Sequence, residues 1–230
     1  MTAKITDSLP YYQQALEAVQ NKIALAEQER EITPYCTDLH KVRLIAVSKT
    51  KPLEAIEALY HCGQRDFGEN RVQEAQSKFT LYKPDDLVLH LLGPLQTNKV
   101  KEAVALFDVF HALDRPKLAQ TLAKECDRQN RRLDCFIQVN TGAEPQKAGI
   151  AALDCLEFVT YAQGLGLSIK GLMCIPPQDQ NPAPHFALLR KLAQQAGLDQ
   201  LSMGMSSDYP SAIRLGATHV RVGTALFGAR

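Results

Sequence analysis

Between Leu44 and Val222 the chain alternates short apolar runs with longer amphipathic ones, eight times over. The apolar runs are Leu44–Ser48, Asp66–Gly68, Leu87–Leu92, Val109–Leu113, Asp134–Asn140, Ser168–Ile175, Leu201–Met203 and His219–Val222. Continuous apolar runs closed by turn residues read as buried parallel strands. The intervening segments read as helices over Leu53–His61, Arg71–Leu81, Gln96–Leu106, Pro116–Gln129, Ala151–Gln163, Pro184–Ala196 and Tyr209–Leu215. Eight strand–helix units, at roughly 20–30 residues each, predict a single (β/α)8 TIM-type barrel. An open doubly wound sheet is the alternative, but eight units close more naturally into a barrel.

At 230 residues the chain fits one such barrel domain, spanning about 42–230. An extra amphipathic helix over Leu9–Arg30 precedes it, with Ser8 as cap and Pro10 in the first turn. Its apolar stripe is Leu16, Val19, Ile23 and Leu25, suited to covering the bottom or side of the barrel. Glu31–Lys41, with Pro34 and Cys36, is a connector.

The net charge is +1, so no global field favours nucleic acid or an anionic membrane. None of the six cysteines forms a CxxC pair or a zinc-like spacing with histidine. Reduced cysteines in apolar runs point to a cytoplasmic compartment. The first ten residues are polar, and nothing approaches a membrane span.

Barrels carry their chemistry at the C-terminal strand ends. Lys49 stands at the first of these, between the run Leu44–Ser48 and Pro52. A half-desolvated lysine there offers a free amine suited to a Schiff base with an aldehyde cofactor; the alternative is a lysine that snorkels to solvent. Strand seven runs into Ser206-Ser207-Asp208, and strand eight into Gly223-Thr224. Loops after these strands commonly hold phosphate, although capping of a short helix by Ser206 and Asp208 would explain the residues equally.

Arg221 lies inside the last strand, between Val220 and Val222. A buried arginine needs an acceptor, and a pyridine nitrogen or the Asp208 carboxylate would serve. Asn70 either caps the second helix or offers its amide to a phenolic oxygen. Met173 packs against a ring face or belongs to the core, and His90 between two leucines reads as a satisfied core histidine.

Eight motifs occur in register. They are Ala46–Pro52, Phe67-Gly68-Glu69-Asn70-Arg71-Val72-Gln73-Glu74, His90–Lys99, Gln138–Thr141, Lys147–Ile150, Gly171–Met173, Leu201–Ser206 and Arg221–Gly228. In this order they resemble the pyridoxal phosphate homeostasis protein family over nearly the whole chain. The resemblance implies an alanine-racemase-like barrel carrying pyridoxal 5′-phosphate (PLP). It implies Lys49 as the Schiff-base lysine and Arg221 as the arginine facing the pyridine nitrogen. Ser206, Gly223 and Thr224 match the phosphate cradle, and Asn70 and Met173 match residues beside the ring. Leu91, where an aromatic is usual, and Ser207, where glycine or an acidic residue is common, depart from the pattern.

PLP enzymes usually pair the ring nitrogen with a carboxylate, so an arginine there weakens the electron sink. Racemisation also needs a second acid/base, which alanine racemases draw from a further domain, whereas this chain stops soon after its last strand. The expectation is therefore a PLP carrier and buffer rather than an enzyme, monomeric, with apo PLP-dependent enzymes as partners. The rivals are a weak PLP-dependent amino-acid racemase using Tyr209 or His90, and a PLP-free phosphate-binding barrel.

Overall fold

A computed structural model describes residues 3–30 and 41–228. In chain order the elements are α1 (Ala3–Gln28), β1 (Arg43–Val47), α2 (Leu53–His61), β2 (Asp66–Glu69), α3 (Val72–Phe79), β3 (Val88–Leu91), α4 (Val100–Leu106), β4 (Val109–Leu113), α5 (Pro116–Gln129), β5 (Asp134–Asn140), β6 (Ile150–Ala151), α6 (Cys155–Gly164), β7 (Ser168–Met173), α7 (Ala183–Gln195), β8 (Gln200–Met205), α8 (Tyr209–Arg214), β9 (His219–Val222) and α9 (Thr224–Phe227).

Eight strands pair in parallel in the order β1-β2-β3-β4-β5-β7-β8-β9, and β9 returns to β1 with Leu44 opposite Val220. The sheet is closed: β4, an edge in any open arrangement, pairs β5 through Val109 and Asp134. The doubly wound alternative is thereby excluded, and the fold is the expected (β/α)8 barrel. The two-residue β6 pairs, among the described residues, with β5 alone. It and a 3-10 turn over Ala152–Asp154 occupy what reads in the sequence as the first turn of α6. A 3-10 turn over Thr97–Lys99 likewise precedes α4.

The N-terminal helix differs from its expected start. It begins at Ala3, so Ser8 and Pro10 lie inside it rather than at its cap. Ser8 Oγ donates back to the Ile5 carbonyl at 2.9 Å, and Ile5 is buried. Packing of the preceding turn thus overrides the local start signals. Leu16, Val19, Ile23 and Ala26 are buried at helical spacing, but Leu25 is 60% exposed. Two residues beyond Ile23, it falls about 200° round the helix from the buried stripe. The connector residues Pro34 and Cys36 lie outside the described residues.

Helix α1 packs on α2, α8 and α9 and covers the side of the barrel. Near one end Tyr12 meets the Phe227 ring edge-on, 6.1 Å between centroids. At the other, buried Arg30 donates to the carbonyls of Ile213 (3.2 Å) and Ala217 (2.9 Å). Arg30→Ala should leave both carbonyls short of a charged donor and cost about 2 kcal/mol. Urea unfolding should show a lower midpoint at unchanged slope; an unchanged midpoint would mean that the clasp contributes nothing.

Candidate functional site

Strand β1 ends at Val47, and the next residues are held firmly. Ser48 is fully buried; its N–H donates to the Gly68 carbonyl (2.9 Å) and its hydroxyl to Glu69 Oε1 (2.7 Å). Lys49 is half-buried, and among the described residues its amine has no hydrogen-bond or ion-pair partner. Thr50 takes a left-handed backbone (φ 64°), unusual for a β-branched residue, and its N–H is bound by Glu74. Such strain costs on the order of 1–3 kcal/mol and concentrates at functional positions. The neighbouring Lys51 Nζ donates to the carbonyls of Phe227 (3.1 Å) and Gly228 (3.2 Å). The C-terminal carbonyls of α9 attract that cation, so of the two neighbouring lysines Lys49 has the uncommitted amine.

Beneath Lys49 lies a buried charge cluster that the sequence reading missed. Lys78 Nζ reaches Ser48 O (3.0 Å), Glu69 Oε1 (2.9 Å) and Glu74 Oε1 (2.8 Å). Burial pushes the Glu69 carboxyl up, against the pull of Lys78 and Ser48, and Glu69 Oε2 has no partner among the described residues. Its signal in the sequence was a carboxylate at a strand end with a lysine nine residues on, one helical face away.

Asn70 precedes α3 without capping it, since Arg71 is the residue at the helix boundary. Among the described residues its amide is unbonded. Its main chain is fixed from the far side by Gly93: a Cβ there would lie 2.3 Å from the Asn70 carbonyl oxygen. No residue with a side chain fits at position 93 unless the β2 and β3 loops separate.

The loops after β8 and β9 meet. Gly223 N–H donates to Ser206 Oγ (3.3 Å), and a Cβ on Gly223 would sit 3.4 Å from the Val47 carbonyl, at the end of β1. Thr224 opens α9 with its side chain exposed, as is Ser206. Asp208 does not cap α8; its carboxylate accepts from the Met205 N–H (2.6 Å).

Arg221 is 6% exposed and makes no ion pair among the described residues, so the expected alternative of an Asp208 ion pair is not what the fold builds. Its NH1 donates to Ser202 O and Ser202 Oγ (both 2.7 Å) and its NH2 to Cys174 O (2.9 Å). Three of five guanidinium N–H groups are engaged, and Nε has no partner among the described residues. Met173, 1% exposed, belongs to the core and stands opposite Ser202 in the β7–β8 register.

Closure therefore brings Lys49, Asn70, Ser206, Gly223 and Thr224 to one end of the barrel, with Arg221 one layer below. His90 is satisfied by Asp66 and His111, and the Tyr209 hydroxyl is buried without a partner among the described residues, its pKa raised by burial. The thiols of Cys155 and Cys174 are pushed by burial to about 11 and about 12, so neither is a nucleophile near neutrality.

The closed barrel and the family match together define a fold of the alanine racemase N-terminal class. The family model for the alanine racemase N-terminal domain matches residues 21–230. The pyridoxal phosphate homeostasis protein of Vibrio alginolyticus is 40% identical over 95% of this chain and 97% of its own length. That of Escherichia coli strain K12 is 37% identical over 94% and 95%. The chain thus belongs to the pyridoxal phosphate homeostasis protein family. Among solved structures, PipY of Synechococcus elongatus with PLP bound superposes with TM-score 0.76 at 37% identity, covering 94% of this chain and all of PipY. Alanine racemase of Clostridium difficile shares the fold alone (TM-score 0.70, 13% identity), with 97% of this chain covering 57% of the racemase.

Lys78→Met should leave Glu69 buried with one hydroxyl donor and cost about 3 kcal/mol at neutral pH. A carboxyl raised by the fold stabilises only below its folded pKa, and that contribution is lost as pH rises through it. The deficit of the variant should therefore shrink as pH falls toward the ordinary glutamate range. Denaturant titrations at several pH values check this; a deficit independent of pH would contradict the assigned role of Glu69.

Proposed function

We propose that the chain is a single barrel domain that binds PLP at its mouth, buffers the free aldehyde and delivers it to apo-enzymes. The observation that carries this reading is the buried Arg221, with donor groups to spare and no carboxylate in ion-pair contact among the described residues. The residues fit the group: an amine without a partner at Lys49, a free amide at Asn70, and the Ser206–Gly223 loops drawn together for an anion. When bound, PLP supplies a reactive aldehyde and, with a protonated ring nitrogen, an electron sink. Lys49 would hold the aldehyde as a Schiff base. Ser206, Gly223 and Thr224 would donate to the phosphate. Asn70 would donate to the phenolic oxygen, and Met173 would line the ring's side of the pocket.

Arg221 is donor-only, so it favours an unprotonated ring nitrogen and a poor sink. That supports carriage over catalysis. Two further features weigh against a racemase reading. Both ring nitrogens of His90 are committed to other side chains. The raised pKa of Tyr209 makes it a poor base at neutral pH. Relatives named for PLP homeostasis support the same assignment. A reducing, cytoplasmic setting accords with the free cysteines, and no described helix is long and apolar enough to cross a membrane.

Borohydride reduction of the PLP-loaded protein, followed by peptide mapping, tests the lysine. The modification should fall on Lys49 and vanish in Lys49→Ala; modification of Lys51 alone would sink the assignment. Ser206→Ala should weaken PLP binding by about 1–3 kcal/mol, and pyridoxal without phosphate should bind far more weakly. Equal affinities of the two vitamers in a fluorescence titration would refute the phosphate cradle.

A further inference from the structure

The barrel interior contains three histidines, His90, His111 and His219, on strands far apart in sequence. Two of them belong to an unbroken hydrogen-bonded line. Asp66 Oδ1 lies 3.0 Å from His90 Nε2, and His90 Nδ1 lies 3.0 Å from His111 Nε2. His111 Nδ1 lies 2.9 Å from Ser202 Oγ, which is 2.7 Å from Arg221 NH1. His90, His111 and Ser202 are fully buried. Asp66, at the first position of β2, forms the floor end and also holds Arg43 at 2.9 Å. The His111 ring is fixed in plane by stacking on Phe136 (centroids 4.5 Å apart, 8° between planes).

The chemistry of the two ends sets the direction of every bond between them. Arg221 can only donate, so Ser202 Oγ accepts. The Ser202 hydroxyl proton then has one acceptor in reach, His111 Nδ1. His111 must therefore be unprotonated at Nδ1, and its proton sits on Nε2 and points to His90 Nδ1. His90 in turn carries its proton on Nε2 and donates to the Asp66 carboxylate. The opposite polarity would leave the Ser202 hydroxyl proton buried without an acceptor among the described residues, which is costly. Burial, with the nearby Arg221 charge, also presses the pKa of His111 well below the ordinary value, consistent with a neutral ring.

We propose that Ser202, His111, His90 and Asp66 are positioning residues for Arg221, joined in a one-way hydrogen-bond chain that fixes its guanidinium and links its buried charge to the carboxylate at the barrel floor. The chain occupies both NH1 hydrogens together with the Ser202 carbonyl, and Cys174 O takes one from NH2. What remains free is Nε and one NH2 hydrogen, so the donor offered to the mouth is set from inside the barrel. The link to a ring nitrogen rests on the PLP reading above; the direction of the chain does not.

The test uses the full chain labelled with 15N-histidine and free of PLP. Long-range couplings in the imidazole rings should show His90 and His111 both neutral with the proton on Nε2 near neutral pH. A proton on His111 Nδ1, or a protonated His111, would overturn the chain. With PLP bound, Ser202→Ala should raise the dissociation constant about tenfold and displace the visible absorbance maximum. Ser202→Thr, which keeps the hydroxyl, should restore both. Wild-type affinity and spectrum in Ser202→Ala would refute the positioning role. If wild type failed to take up PLP at all, the functional reading would fall while the tautomers still decided the chain; if Ser202→Thr failed to fold, the wild-type tautomers would remain decisive.

Discussion

Closure of the sheet between β4 and β5 is the constraint on which everything else depends. It gives each of the eight barrel strands a neighbour on both sides and removes the edges that an open parallel sheet would expose. It also forces the strand ends into one rim, so residues from β1, β2, β8 and β9 separated by up to 170-odd positions share a mouth. The helices add little chemistry of their own. They cover the barrel, and α1 packs on α2, α8 and α9, with Arg30 binding carbonyls of the segment that leads into β9.

Burial makes the internal charges of the barrel consequential. Arg221 and Glu69 are both deeply buried, and each is handled differently. Glu69 is neutralised on one side by Lys78, with Ser48 sharing the same oxygen. That arrangement fastens the strand end immediately before Lys49. Arg221 has no carboxylate in ion-pair contact among the described residues, and its charge is dispersed over carbonyl and hydroxyl oxygens. A desolvated cation of this kind is a standing demand for an acceptor. The histidine line supplies part of that demand from below, and the mouth is open to supply the rest.

Much of the architecture was legible because apolar runs with sharp turn boundaries leave few alternatives. Val109–Leu113, Asp134–Asn140, His219–Val222, Leu53–His61 and Pro116–Gln129 agree residue for residue with the sequence reading. The first helix was misjudged because Ser8 and Pro10 carry start signals that the burial of Ile5 outweighs. Leu25 was misjudged because an apolar residue is not thereby an inward one. At the candidate site, strand-end residues could be picked out because the barrel makes every C-terminal end a neighbour of the others. The Glu69–Lys78 cluster and the His90–His111–Ser202 line could not, since each depends on which rotamer reaches across the interior. Their traces were a strand-end carboxylate and polar residues inside apolar strands, such as His111 in Val-Phe-His-Ala-Leu.

On the function we propose, Arg221 keeps a barrel that would hold PLP on Lys49 from using it as an electron sink. The most direct measurement is exchange of the alanine α-proton in deuterated water, followed by NMR, with the PLP-loaded protein. A dedicated PLP enzyme at matched cofactor loading serves as reference. The account predicts negligible exchange, little above that of free PLP. Exchange comparable to the dedicated enzyme would show that the site is catalytic and would contradict the account.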